Sequence, residues 1–129
     1  MSPNAHVIGL DHYQLLCPPG GEDAAREFWV GVIGLPEVEK PEPLRARGGV
    51  WFRCGAQGLH VGAEPGFEPA RRAHPAIRLR DEAAYEQLVD RLTAAGHAVE
   101  EADVPIADRR MKTTDCFGNM LEFVVGTTG

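Results

Sequence analysis

Apolar residues dominate both ends of residues 7–16, "VIGLDHYQLL", and the stretch reads as a strand. The turn-forming run "PPGGED" ends it. Over residues 22–33 the spacing changes. Ala25, Phe28, Trp29 and Val32 recur at helical intervals behind an acidic first turn, and Gly34 supplies a stop. A short strand is expected at 36–39. "KPEPLRARGG" reads as a loop, since prolines, charges and glycines dominate it. "VWFRC" and "LHVGA" then read as strands joined across "GAQG".

The pattern restarts at "HPAIRLR" (74–80), a strand. Asp81 can cap a helix in which Tyr85, Leu88, Leu92 and Ala95 recur at intervals of three and four, up to Gly96. "HAVEE" is a short strand, "DVPIAD" a loop, "RMKTT" a strand, "CFGN" a turn and "MLEFVV" the last strand. Each half reads strand, helix, strand, strand, strand. Sliding the second half back by 62 positions lays His74 on His12, Gly96 on Gly34, Glu101 on Glu39, Pro105 on Pro43, Arg109 on Arg47, Cys116 on Cys54 and Leu121 on Leu59. Both glycines fall at a helix stop and both prolines in the same loop, which argues for a duplicated βαβββ unit. The 129 residues fit one domain, with one module at about 6–64 and the other at about 70–126.

Composition narrows the partners. With 43% hydrophobic and 25% charged residues the chain is ordinary for a soluble globular protein. No apolar run approaches the roughly 20 residues of a membrane span, and "MSPNAHVIGL" lacks the pattern of a secretory signal. A cytoplasmic protein without membrane partners is expected. The net charge of −6 opposes binding to a phosphate backbone, so no nucleic acid is expected. The basic pairs Arg71-Arg72 and Arg109-Arg110 read as solvated loop ends. Cys17, Cys54 and Cys116 form no metal-binding or redox spacing and read as idle thiols in a reducing compartment.

The repeat frame also carries chemistry. It lays Glu122 on His60, so each half holds a metal-competent side chain in its first strand and another in its last. If those two strands lie side by side, each pair shares a face. If the modules face each other, His12, His60, His74 and Glu122 can converge. Three imidazoles and a carboxylate suit Zn, Ni, Fe, Co or Mn better than Ca or Mg. Around an octahedral ion they would leave two positions for adjacent substrate oxygens. Each histidine taken alone is an ordinary strand histidine. Glu122 says more: Leu121, Phe123 and Val125 face one way, and Glu122 faces the other with Met120 and Val124. If buried, it needs a cation or metal. By the same alternation Gln14 and Arg78 share the ligand faces, and Trp51 and Arg53 share a face of their strand. All four are candidates to bind substrate. His6 and His97 fall outside the frame and are expected at the surface.

"LDHYQL", "GVIGLP", "AHPAIRL" and "DCFGNMLEF" resemble the vicinal oxygen chelate superfamily of glyoxalases, fosfomycin-modifying enzymes, epimerases, extradiol dioxygenases and bleomycin-binding proteins. The resemblance spans residues 8–125. It implies an α+β fold of two βαβββ modules forming an incomplete barrel around a cleft. It also implies a homodimer, with some members building each site from modules of two chains. It places His12, His74 and Glu122 at metal-ligand positions, and His60 where glyoxalase I and the epimerase carry a fourth ligand, usually Glu. The tyrosine-serine cluster of fosfomycin-modifying enzymes is replaced here by "ADRRMKTT".

Two classes of function follow. One is a metal-dependent lyase or isomerase that stabilises an enediolate or oxyanion in a small substrate with adjacent oxygens. In it Glu122 or His60 acts as the base. An iron dioxygenase, with His12, His74 and Glu122 as its triad, is a variant of this class. The other is a protein that binds a small or drug-like molecule without catalysis.

Overall fold

The computed structural model describes residues 6–102 and 107–126. The first module runs β1 (His12–Cys17), α1 (Glu22–Arg26), β2 (Glu37–Val38), β3 (Val50–Cys54) and β4 (Gln57–Ala63). The second runs β5 (Ala76–Arg78), α2 (Glu82–Ala94), β6 (Glu100–Glu101), β7 (Arg109–Thr114) and β8 (Met120–Val125). Each module builds a four-stranded sheet, in the orders β1-β4-β3-β2 and β5-β8-β7-β6. This is the α+β fold of two βαβββ modules.

Several local departures from the sequence pattern have plain causes. The strand predicted over 7–16 begins only at His12. Val7, Ile8 and Leu10 precede it and are exposed, so the apolar residues there are not matched by burial. The first helix is α-helical only to Arg26 and continues as a π-helix over Glu27–Ile33. Gly34, at φ 92°, closes it by donating its N–H to the Trp29 carbonyl five residues back. The neighbours Phe28 and Trp29 are both buried in the core. A short 3-10 turn, Glu42–Leu44, interrupts the proline-rich loop. Asp81 caps α2 as expected, its side chain accepting from the Ala84 N–H. Part of the loop "DVPIAD", with Pro105 of the repeat frame, lies outside the described residues.

Pairing tests the repeat directly. β1 runs parallel to β4 and sets Gln14 opposite His60. β5 runs parallel to β8 and sets Ala76 opposite Glu122. Both pairs obey one offset of 62, so the frame holds through the outer and last strands. It slips in the hairpins. The first closes around two residues between Cys54 and Gln57, the second around five between Thr114 and Met120. As a result Trp51 faces His60, whereas Lys112, not Thr113, faces Glu122. The matches of Arg109 with Arg47 and Cys116 with Cys54 are therefore not structural equivalences. Cys54 ends a strand, while Cys116 sits in a turn.

One core cluster joins the inward faces of both sheets to the helices. It holds Leu15, Phe52, Leu59 and Val61 from the first module and Met111, Leu121, Phe123 and Val125 from the second. The "DCFGN" turn fastens the modules together. Asp115 accepts from the backbone N–H groups of Phe117 and Asn119 and from Asn119 Nδ2. Asn119 Nδ2 also donates to the Leu16 carbonyl of β1, at 2.8 Å. Gly118, at φ 87°, makes the tight turn. Both polar side chains are buried. Asn119→Ala strands the Leu16 carbonyl and one Asp115 oxygen, so urea unfolding is expected to show a loss of about 1–3 kcal/mol.

Candidate metal and ligand site

Alternation turns His60 and Glu122 away from the common core, as their apolar neighbours Leu59, Val61, Leu121 and Phe123 fill it. Both are nonetheless buried, His60 at 8% and Glu122 at 6% exposure. On the first sheet the rings of Trp51, His60 and His12 stack across three strands. Trp51 lies 3.8 Å from His60 at an interplanar angle of 1°, and His60 lies 4.2 Å from His12 at 17°. Gly58 makes the stack possible, since a Cβ there would come within 2.8 Å of His60 Nε2. Burial, reinforced by His12, holds the His60 pKa below the ordinary histidine value, against a weaker opposing pull from Asp11. His60 is therefore neutral at pH 7.

Beside this stack lies a cavity of about 490 Å³, bordered by His12, Gln14, Trp51, Arg53 and His60. All five are residues that the sequence singles out. A second pocket, of about 620 Å³, brings His12 together with His74 and Arg78. Arg78 also donates from Nε to the Gly126 carbonyl.

On the second sheet His74 and Glu122 form a pair, with Nε2 to Oε1 at 3.3 Å. The other ring nitrogen of His74 lies 2.6 Å from the Arg72 carbonyl oxygen. A carbonyl only accepts, so Nδ1 carries the proton and Nε2 of the neutral ring is bare. A bare nitrogen then faces an acceptor-only carboxylate. That contact is favourable only with a cation between or beside them, either a second proton or a metal ion. The spacing fits the metal, because neighbouring donors ~2.1 Å from one ion lie roughly 3 Å apart. His12 has the same polarity: Nδ1 donates to Asp11 Oδ2 at 2.8 Å, which leaves Nε2 bare. The stack restricts His60. An ion lies near the plane of each imidazole it binds, and two nearly parallel rings 4.2 Å apart share no such point. His12 and His60 can bind one ion together only if a ring turns.

The four candidates thus form two pairs, His12 with His60 and His74 with Glu122. Among the described residues no three His, Cys, Asp or Glu side chains converge as a metal-binding group.

The pair Arg109-Arg110 is not a solvated loop end. It opens β7, and alternation splits it. Arg109 turns to the helix side, over the Tyr85 ring, and bonds Glu86 and Glu101. Arg110 turns to the Glu122 side, with Nη1 3.8 Å from Oε2. Sequence reasoning missed Arg110 and Lys112 because the hairpin slip moves both onto the Glu122 face. His97, expected at the surface, is half-buried against Phe28 and bonds the Thr114 carbonyl, while His6 is exposed. The cysteines are free, and burial raises the pKa of each, that of Cys116 to about 11. None is poised as a nucleophile.

A model of the Glyoxalase/Bleomycin resistance protein/Dioxygenase superfamily matches residues 9–123. Among solved structures, a glyoxalase family protein from Bacillus anthracis is 37% identical, with a TM-score of 0.87 over 97% of this chain and 100% of its own. The fosfomycin resistance protein FosX from Listeria monocytogenes, in complex with Mn(II), is 17% identical, with a TM-score of 0.72 over 94% and 92%. TnmS3, an antibiotic binding protein from Streptomyces, is 18% identical, with a TM-score of 0.70 over 96% and 100%. The last two show the shared fold. A comparison with curated proteins finds no match. No helix among the described residues is long and apolar enough to cross a membrane.

The depressed His60 pKa has a consequence for stability. As pH falls below about 6.5, the unfolded chain takes up a proton that folded His60 refuses. Stability is therefore full above that pH and is lost as pH falls through the lower folded pKa. Thermal melts of chelator-treated protein should show wild type losing more stability than His60→Gln between about pH 7 and pH 5. Equal losses would contradict the assignment.

Proposed function

We propose that this chain, which belongs to the Glyoxalase/Bleomycin resistance protein/Dioxygenase superfamily, is a metal-dependent enzyme acting on a small substrate with adjacent oxygens. One observation carries the reading: the buried Glu122 carboxylate faces a His74 nitrogen whose proton is held on the opposite side of the ring. His12 offers a third donor of the same polarity. A divalent transition metal (Zn, Ni, Fe, Co or Mn) held by His12, His74 and Glu122 would supply Lewis acidity to two adjacent substrate oxygens. His60 is the base. It is neutral, its ring is fixed between Trp51 and His12, and its Nε2 overhangs Gly58 where it can accept a substrate proton. Gln14 and Arg53 border the same cavity and orient the polar end of the substrate, while Trp51 walls it. Arg78 borders the pocket shared by His12 and His74. Lyase or isomerase chemistry suits this set, because it needs one proton moved beside a polarised carbonyl. The protein acts in a reducing, cytoplasmic setting, consistent with its free thiols.

Protein purified without a chelating tag should carry about one transition-metal ion per site by elemental analysis. His74→Ala and Glu122→Ala should each lower metal affinity by ~10-fold or more. His60→Gln should keep the metal and lose ~10²–10⁴ in turnover of a hemithioacetal. Oxygen uptake with a catechol by the iron-loaded protein would instead mark a dioxygenase. The second reading, a binding protein, is favoured by the aromatic shelf that Trp51 and His60 present to the 490 Å³ cavity. It becomes the better account if no metal binds at all.

The active form is a homodimer in which each site takes His12 and His60 from one copy and His74 and Glu122 from the other. Support comes from the absence, among the described residues, of any three of these side chains converging within one chain, and from the orientation of both pairs away from the shared core. Mixing His12→Ala with Glu122→Ala, each inactive alone, should restore one intact site per mixed dimer. Metal occupancy would then return to roughly a quarter of the wild-type level after random exchange of subunits. No recovery after demonstrated exchange would place each site within one chain.

A further inference from the structure

We infer that the substrate is a small anion, and that Arg110 and Lys112 receive its carboxylate, phosphoryl or phosphonyl oxygens beside the His74–Glu122 pair. This rests on the metal-site reading above for its location, though not for its chemistry. Lys112 stands directly opposite Glu122, and Arg110 directly opposite Val124, one rung along the same face. Arg78 stands opposite Val124 from the other side. Three cations therefore share the sheet face of one buried carboxylate, in a chain whose net charge is −6.

Glu122 can neutralise only one of these charges, and it does so without a hydrogen bond. Its distance to Arg110 Nη1 is 3.8 Å, beyond hydrogen-bond reach. The Arg110 side chain is only 18% exposed, and its Nε is buried without a hydrogen-bond partner among the described residues. A guanidinium held in that state has donors to satisfy, and a planar oxyanion satisfies them two at a time. Lys112 forms no ion pair among the described residues, although Glu100 faces it across β6. Arg78 donates its Nε to the Gly126 carbonyl, and its terminal nitrogens form no ion pair among the described residues. The first sheet offers a contrast at the equivalent rung, where Gln14, His60 and Trp51 stand in line with no formal charge at neutral pH. At that rung, formal charge therefore stands on the second sheet alone.

Titration calorimetry with three probes tests this in chelator-dialysed and Mn(II)-loaded protein. Oxalate carries charge and adjacent oxygens, inorganic phosphate carries charge without a carbonyl pair, and hydroxyacetone carries adjacent oxygens without charge. At least one of the two anions should bind at least tenfold more tightly than hydroxyacetone. A preference for oxalate marks a carboxylate substrate, and a preference for phosphate marks a phosphoryl or phosphonyl one. Arg110→Gln and Lys112→Gln should each weaken the preferred anion at least tenfold, with Mn(II) affinity within threefold of wild type, and Arg110→Lys should recover part of the loss. Anion affinity unchanged in folded Lys112→Gln and Arg110→Lys,Lys112→Gln proteins would overturn the proposal, as would hydroxyacetone binding as tightly as both anions. The metal-free arm reads the cations even if no metal binds, so a failure of the metal reading is separable from a failure of this one.

Discussion

The parallel pairing of β1 with β4, and of β5 with β8, is the constraint on which the site depends. A strand sends successive side chains to opposite faces, so its register also decides which residues are core and which are cleft. With Gln14 opposite His60, the odd positions Leu15, Leu59 and Val61 go inward and His60 goes outward. With Ala76 opposite Glu122, Leu121 and Phe123 go inward and Glu122 goes outward. A slip of one residue in either pairing would drive a carboxylate or an imidazole into the apolar core, at a cost of several kcal/mol. The hydrophobic stripe and the functional residues therefore enforce each other.

Once outward, the two polar groups are stabilised by different means. His60 is neutral, so rings suffice: Trp51 and His12 cover its two faces, and Gly58 leaves it room. The Glu122 carboxyl sits in a nearly dry position and is offset by polar partners, Arg110 and His74. The buried Asp115 is treated in a third way. Desolvation raises its pKa, while three hydrogen bonds from Phe117 and Asn119 pull it back. That turn is occupied structurally, which is why its carboxylate is no candidate for chemistry while Glu122, seven residues later, is.

Much of this was legible in the chain. Alternation around "MLEFVV" placed Glu122 opposite the core, and the offset of 62 paired it with His60, because both features live in the strand period. The offset failed where loop length intervened. A two-residue and a five-residue hairpin cannot keep one register, so Lys112 and Arg110 were hidden behind a frame that assigned Thr113 to the position of Trp51. The π-helical turn at Glu27–Ile33 was hidden for another reason. Its apolar spacing is compatible with an α-helix, and only the backbone bonding, as in the Gly34 N–H to the Trp29 carbonyl five residues back, distinguishes the wider turn. The ring stack depends on rotamers of Trp51, His60 and His12, which no periodicity encodes.

The duplicated unit yields two unlike half-sites from one backbone plan, and the hairpin slip helps to explain the difference. In the first module the residue across from the site position is Trp51, and a flat ring there favours a neutral neighbour that can stack. In the second it is Lys112, and a cation there favours a carboxylate. Each choice constrains the next, since a carboxylate at His60 would lie against an indole face, and an imidazole at Glu122 would lie opposite Lys112 and beside Arg110. The two sheets are therefore not interchangeable around a ligand. On the proposed function, one supplies shape and a base and the other supplies charge, so a substrate that uses both would carry its anionic end toward Arg110 and its proton-losing carbon toward His60.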